Sequence, residues 1–239
     1  MKFEVAETSE LRRREIAGTS SKNYVIALGN RADHEHLLQP VCVPIQLGLG
    51  LGYRIMLTRT GMEDRLGKVQ TLEDLSDFVL GQGLGWADVE ILRAAGLRVV
   101  TPTKATSIPR MMMEGRIDLY PRGLFEIDAE YARYKTDYPS LIIDENLVLH
   151  YPLVSFFFTR KGNDKLFNVI KNGMENAYQT GKLQDLIMSD PVFREAIRHI
   201  QLNKRVTIEI PVQDINQNTR TALERFPFVP GKPLGQPVQ

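Results

Sequence analysis

Arg122 stands directly behind the stretch Arg116-Ile117-Asp118-Leu119-Tyr120, which reads as a β-strand, and Glu126 follows four residues later. A guanidinium offers parallel N–H donors to a planar carboxylate or phosphate, a geometry an ammonium cannot copy. Just past the C-terminal end of a strand, such a group faces the crevice where open α/β sheets hold ligands. Arg122 therefore either grips an anion or pairs with Glu126 on the next helix. Arg54, beside Tyr53 at the start of another strand, is placed for a second anion contact or for a plain salt bridge. Between these positions runs "LGQGLGWADVE", residues 80–90, with Gly81, Gly83 and Gly85 alternating ahead of Trp86 and Asp88.

That glycine stretch fails as a dinucleotide fingerprint. Its third glycine comes one position early for G-x-G-x-x-G, and residues 99–103 carry no acid to hold a ribose. The bulky Trp86 stands where a pyrophosphate would approach, and no lysine follows as in a phosphate loop. Two readings remain. Amides of Gln82 and Gly83 at a helix start can meet a carboxylate, or the glycines merely turn the chain tightly. Trp86 either stacks on an apolar or ring-bearing ligand or fills the space between helix and sheet. Asp88 either offers negative charge or complements the dipole of its own helix. His150, between two apolar strands, either lines the cleft or is structural.

No Ser-His-Asp set, paired carboxylates or activated cysteine stands out, so binding without chemistry is the leading expectation. The enzyme alternative is a lyase or dehydratase acting on a carboxylated substrate, with Glu126 or His150 as acid or base and Arg122 on the carboxylate. Asp33-His34-Glu35-His36 puts two imidazoles on one face if it is a strand, but offers no identifiable third ligand, so neither metal nor cofactor is expected. Cys42 is the only cysteine, which excludes an intramolecular disulfide.

The elements that must position these groups alternate along the chain. Strands are expected at 2–6, 24–28, 53–59, 78–80, 97–101, 116–120, 141–143, 147–149, 153–160 and 206–210. Helices are expected at 9–17, 86–95, 107–114, 125–134 and 164–199, the last broken at Gly181 and Pro191. This alternation predicts an α/β fold with mainly parallel strands. Thirty basic residues against twenty-nine acidic ones leave no bulk charge for nucleic acid. Arg12-Arg13-Arg14 reads as a solvated helix face. No apolar run approaches the roughly 20 residues of a membrane span, and the first residues lack the apolar core of an export signal.

In collinear order over roughly residues 20–190, several segments resemble the bacterial extracellular solute-binding family of the polar-amino-acid type, most of all a poorly characterised branch of it. They are "GYRIMLTR", "TLEDL", "GQGLGWADVEILRAAGLRVV", "MMMEGRIDLYPRG" with Glu126, "LVLHYPLVSFFFTRKGN" and "LFNVIKNGMENAYQTGKLQDLI". The resemblance implies a type II periplasmic-binding-protein fold, two doubly wound α/β lobes joined by crossing strands. Residues 1–55 and 161–239 would form lobe one, and 56–160 an inserted lobe two. It also implies a monomeric receptor, periplasmic by likeness, that delivers a small solute to an ABC transporter or senses it. Two departures accompany it. Family members open with an export signal, a strand and a helix ahead of the segment matching "FEVAE", so a truncated, non-binding paralogue is a third expectation. Amino-acid binders also place an acid where Tyr120-Pro121-Arg122-Gly123 stands here, so the negative charge for an ammonium would fall to Asp88 or Glu126.

Overall fold

The computed structural model describes residues 10–47, 51–212 and 215–226. The strand expected at 2–6 and the tail from 227 lie outside the described residues. Along the chain run α1 (Glu10–Thr19), β1 (Ile26–Gly29), a 3-10 turn (Ala32–His36), β2 (Leu38–Val41), β3 (Tyr53–Arg59), α2 (Glu63–Leu66) and β4 (Val79–Gly81). Then come α3 (Asp88–Ala94), β5 (Arg98–Val100), α4 (Ile108–Met113), β6 (Tyr120–Gly123), α5 (Ile127–Lys135), β7 (Leu141–Ile143), β8 (Leu147–His150) and β9 (Ser155–Arg160). The chain ends in α6 (Asp164–Gln179), α7 (Lys182–Ser189), α8 (Pro191–Ile200), β10 (Val206–Glu209) and α9 (Gln217–Arg225).

Local chemistry sets the boundaries. Gly96 and Gly115 adopt φ of +81° and +72° just past α3 and α4, a left-handed turn that ends a helix without a Cβ penalty. Between α7 and α8 the Asp190 side chain accepts from the Val192 N–H, and Pro191 takes the first helical position, where no N–H is needed.

Two strand systems carry the architecture among the described residues. In the smaller sheet β9 is central, antiparallel to β1 on one side and β2 on the other, with Ile26 opposite Phe158 and Val41 opposite Phe157. Helices α1 and α6 lie on this sheet, and α7 and α9 add Leu183, Ile187 and Ala222 to a core with Leu28, Leu38, Phe156 and Phe158. In the larger sheet β3 is central and antiparallel to β6, β7 and β8, while β10 adds parallel to β8. The parallel pair β4–β5 joins this sheet through a bridge from Leu80 to Leu119. Ile55, Leu57, Ile117, Tyr120 and Val148 are buried in one cluster, and Met56, Leu80, Leu119, Leu149 and Tyr151 in another.

The α/β class is as expected, but the strands are mixed rather than mainly parallel. The β4–α3–β5 unit is parallel through its helix, and the Leu80–Leu119 bridge is parallel too; β3 runs against each of its partners. The strands also differ from the expected 56–160 division. β3 begins at Tyr53 inside the larger sheet, β9 belongs to the smaller one, and β10, from the C-terminal segment, returns to the larger one. Between the sheets the chain crosses in the short segment from Tyr151 to Val154, which is stitched to its surroundings by Tyr151 N–H to Gly52 O at 3.1 Å and Asn30 N–H to Val154 O at 2.8 Å.

Phe158 is fully buried at the centre of β9, whereas Val169 on α6 is 64% exposed. Phe158→Ala is expected to lower unfolding free energy by about 3–5 kcal/mol, and Val169→Ala by no more than about 0.5 kcal/mol. Urea unfolding midpoints compare the two directly.

Candidate functional site

A cavity of about 360 Å³ opens between the two sheets. From the larger sheet and its loops come Arg54 on β3, Arg122 on β6, Glu126 ahead of α5, and Trp86, Ala87 and Asp88 at the start of α3. Facing them are Ala27, Leu28 and Gly29 of β1 and Glu10 and Arg13 of α1, with Ser155 at the start of β9 and Leu51 and Leu153 from the connections.

Two arginines are drawn inward by compensating charge. Arg54 is 3% exposed and spends all three nitrogens: Nε donates to the Tyr151 hydroxyl at 2.9 Å, Nη2 meets Asp88 Oδ2 at 2.9 Å, and Nη1 reaches Glu126 Oε2 at 3.5 Å. Its neighbour across the sheet is Gly123, which brings no side chain to that position. Asp88 Oδ2 also accepts from the Tyr151 hydroxyl at 3.1 Å and from Gln82 Nε2 at 2.9 Å. Arg122 Nη2 pairs with Glu126 Oε2 at 3.0 Å and Glu130 Oε1 at 2.6 Å, and its Cζ lies 4.5 Å from the Trp86 ring centroid and 5.0 Å from that of Tyr120. Arg122 Nε is buried with no acceptor. Burial works to raise the Glu126 carboxyl, but Arg122, Arg54 and the Gly123 N–H outweigh it and hold the group below its ordinary value.

Five of the nine candidate residues thus line one cavity: Arg54, Trp86, Asp88, Arg122 and Glu126. Gln82 lies behind it, fully buried, with Nε2 shared between Asp88 and the Pro121 carbonyl at 3.2 Å. Gly83 lies beneath the indole. Tyr53 and His150 are elsewhere, stacked on each other at 4.4 Å, with His150 Nδ1 2.7 Å from Glu209 Oε2. Strand alternation is the reason: Tyr53 adjoins Arg54 on β3 and so points to the opposite face, where its cross-strand partner is His150.

Several amides of the glycine stretch are already spent. Gly81 N–H donates to Leu119 O, Gln82 N–H to Val100 O, Trp86 N–H to Gly83 O and Val89 N–H to Trp86 O. The glycines also permit close approach. A Cβ on Gly83 would stand 2.2 Å from Trp86 Cε2, and one on Gly85 (φ +83°) would stand 3.1 Å from Leu11 of α1. Arg31 Nη1, from the turn after β1, reaches the Gly85 and Trp86 carbonyls at 3.4 Å each. Trp86 is therefore packed on Gly83 and against Arg122 while also lining the cavity.

Sequence reasoning missed Glu10 and Arg13. The three consecutive arginines of α1 do not form one solvated face, because successive helical residues are about 100° apart. Arg12 pairs with Glu15, Arg14 with Asp33, and Arg13 turns to the cavity with a buried Nε that has no acceptor. The one available signal was the i, i+3 spacing that puts Glu10 and Arg13 on the same face. The Asp33–His36 stretch is a 3-10 turn rather than a strand, so its histidines do not alternate as a metal pair; His34 is buried with its ring edge against Phe158.

Several solved structures share this arrangement of elements. A putative binding component of an ABC transporter from Wolinella succinogenes, complexed with lysine, superposes with a TM-score of 0.60 at 15% identity, over 81% of this chain and 82% of that one. A mutant of ArgBP from T. maritima gives 0.55 at 18% identity, over 78% and 76%. An amino acid ABC transporter substrate-binding protein from Streptococcus pneumoniae bound to L-arginine gives 0.54 at 11%, over 76% and 70%. The fold is that of a type II periplasmic binding protein. At these identities the likeness is one of fold; no protein-family model and no curated protein matches the sequence. Within that fold, the cavity lies between the two sheets.

Because Trp86 is the only tryptophan, its emission reports this wall. Gly83→Ala forces the indole away from its seat, and a red-shifted emission maximum relative to the parent chain is the expected result; an unmoved spectrum would contradict the packing described.

Proposed function

We propose that the chain is a solute-binding receptor whose two sheets mark two lobes that close over a small anionic or zwitterionic solute. It either hands that solute to an ABC-type membrane transporter or reports it as a sensor, acting as a monomer in the periplasm. The observation that carries this reading is the cavity between the sheets, walled on one side by Arg54, Trp86, Asp88 and Arg122 and on the other by α1 and β1. Small-molecule sites favour such concave places between lobes, with a few converging polar groups. The solved neighbours with bound lysine or arginine support an amino-acid-like guest.

An enzymatic role finds less support. Glu126 is clamped by two guanidiniums that keep it ionised, which suits neither a proton donor nor a mobile base. His150 is on the other face of the sheet, bonded to Glu209. A truncated, non-binding paralogue is less favoured too, since polar groups with unused donors converge on the cavity. A formal net charge of +1 gives no support to a nucleic-acid partner, and no helix among the described residues is long and apolar enough to cross a membrane.

Native mass spectrometry of freshly purified protein, followed by a melting screen against dicarboxylates and L-amino acids, tests the reading. One solute is expected to raise the melting temperature, since a ligand at a hundred times its Kd adds about 2.7 kcal/mol. Arg122→Ala is expected to abolish the shift. Absence of any retained or stabilising solute, or an unchanged shift in the variant, contradicts it.

A further inference from the structure

The charge arrangement inside the cavity is uneven in a way that the buried ion pairs do not explain. Each nitrogen of Arg54 is engaged, by Tyr151, Asp88 and Glu126. Two other guanidiniums differ. Arg13 on α1 and Arg122 on β6 stand on opposite walls, and each has a buried Nε–H with no acceptor. A buried donor left unmade costs about 1–3 kcal/mol, and two of them on residues that line one cavity suit an acceptor that arrives from outside. One turn from Arg13 on the same helix, Glu10 also lines the cavity, and no hydrogen bond or ion pair reaches its carboxyl among the described residues.

Resting on the receptor reading, we infer that the cavity takes in the oxyanion of its solute together with a proton: the oxyanion lies between Arg13 and Arg122, and the proton lands on Glu10. The charges around Glu10 support this from every side. Its own helix supplies Arg13 and Arg14, the turn after β1 supplies Arg31, α3 supplies Asp88, and the far wall supplies Arg54, Arg122 and Glu126. Burial, then Asp88, push the Glu10 carboxyl up to about 7 against the pull of Arg13, Arg14 and Arg31. An added anion repels the ionised carboxylate and raises it further, so the complex holds more protons than the free protein. The sign follows from linkage: affinity is greatest below the free-protein value near 7, and falls by up to about tenfold per pH unit as pH rises from there to the value in the complex. A solute that set an ammonium beside Glu10 would reverse this sign.

L-arginine, L-glutamine and succinate are each titrated calorimetrically into the full chain at pH 7.5, in two buffers of different ionisation enthalpy, and again from pH 6 to 9. For a solute that binds, net proton uptake in the parent chain is expected, with uptake abolished and affinity made nearly independent of pH in Glu10→Gln. Arg13→Ala is expected to weaken binding roughly tenfold or more, the loss typical of a charge-assisted hydrogen bond. Arg13→Lys, which keeps the charge and the helix but not the fork, is expected to recover only part of that loss. Proton release, zero uptake, or parent-like binding in both Arg13 variants overturns the inference while leaving the receptor reading intact. Failure of all three solutes to bind the parent chain counts against the receptor reading itself.

Discussion

The buried junction of Arg54, Asp88 and Tyr151 is the constraint around which the rest is arranged. It ties the central strand of the larger sheet to the start of α3 and to the segment that crosses between the sheets, with Arg54 and Asp88 at 3% and 1% exposure. Desolvating two such charges costs several kcal/mol per ion, so the pair is tolerated only because nearly every hydrogen-bonding direction on the arginine is answered. Gln82 adds a further donor to the same carboxylate oxygen and anchors itself on the Pro121 carbonyl. The back wall of the cavity is thereby fixed in place before any solute arrives.

That fixity has a consequence for recognition. All three nitrogens of Arg54 are engaged, so in the proposed receptor it serves as scaffold, and the buried Nε donors without an acceptor belong to Arg122 on one wall and Arg13 on the other. The glycine stretch serves the same purpose by a different route. Gly83 admits the indole of Trp86, the indole covers Arg122, and the open side of Gly85 receives Leu11 of α1. Glycine at these points sets the distance between packed parts.

Much of this could be read from residue order, and the reasons for the rest are specific. The strand 53–59 was legible because apolar runs bounded by polar residues define strands, whereas "RIDLY" was placed too early: the strand is Tyr120–Gly123, and Arg122 lies within it opposite Ile55. The exclusion of Tyr53 was also legible in principle, since adjacent residues on a strand face opposite ways. By contrast, Arg13 could not be separated from Arg12 and Arg14 without the phase of α1 against its neighbours. The pairing of β10 with β8 joins residues some sixty positions apart and leaves no local mark. Nor does sequence reveal that the amides of Gly81, Gln82 and Trp86 are already spent on Leu119, Val100 and Gly83.

Amide hydrogen exchange on the full chain, with and without a saturating solute, tests most directly whether a guest is held between the sheets. The account predicts slowed exchange confined to the residues around 10–14, 86–88 and 120–126, on both walls at once. Slowing restricted to the Tyr53–His150–Glu209 face, or to one wall alone, would contradict it.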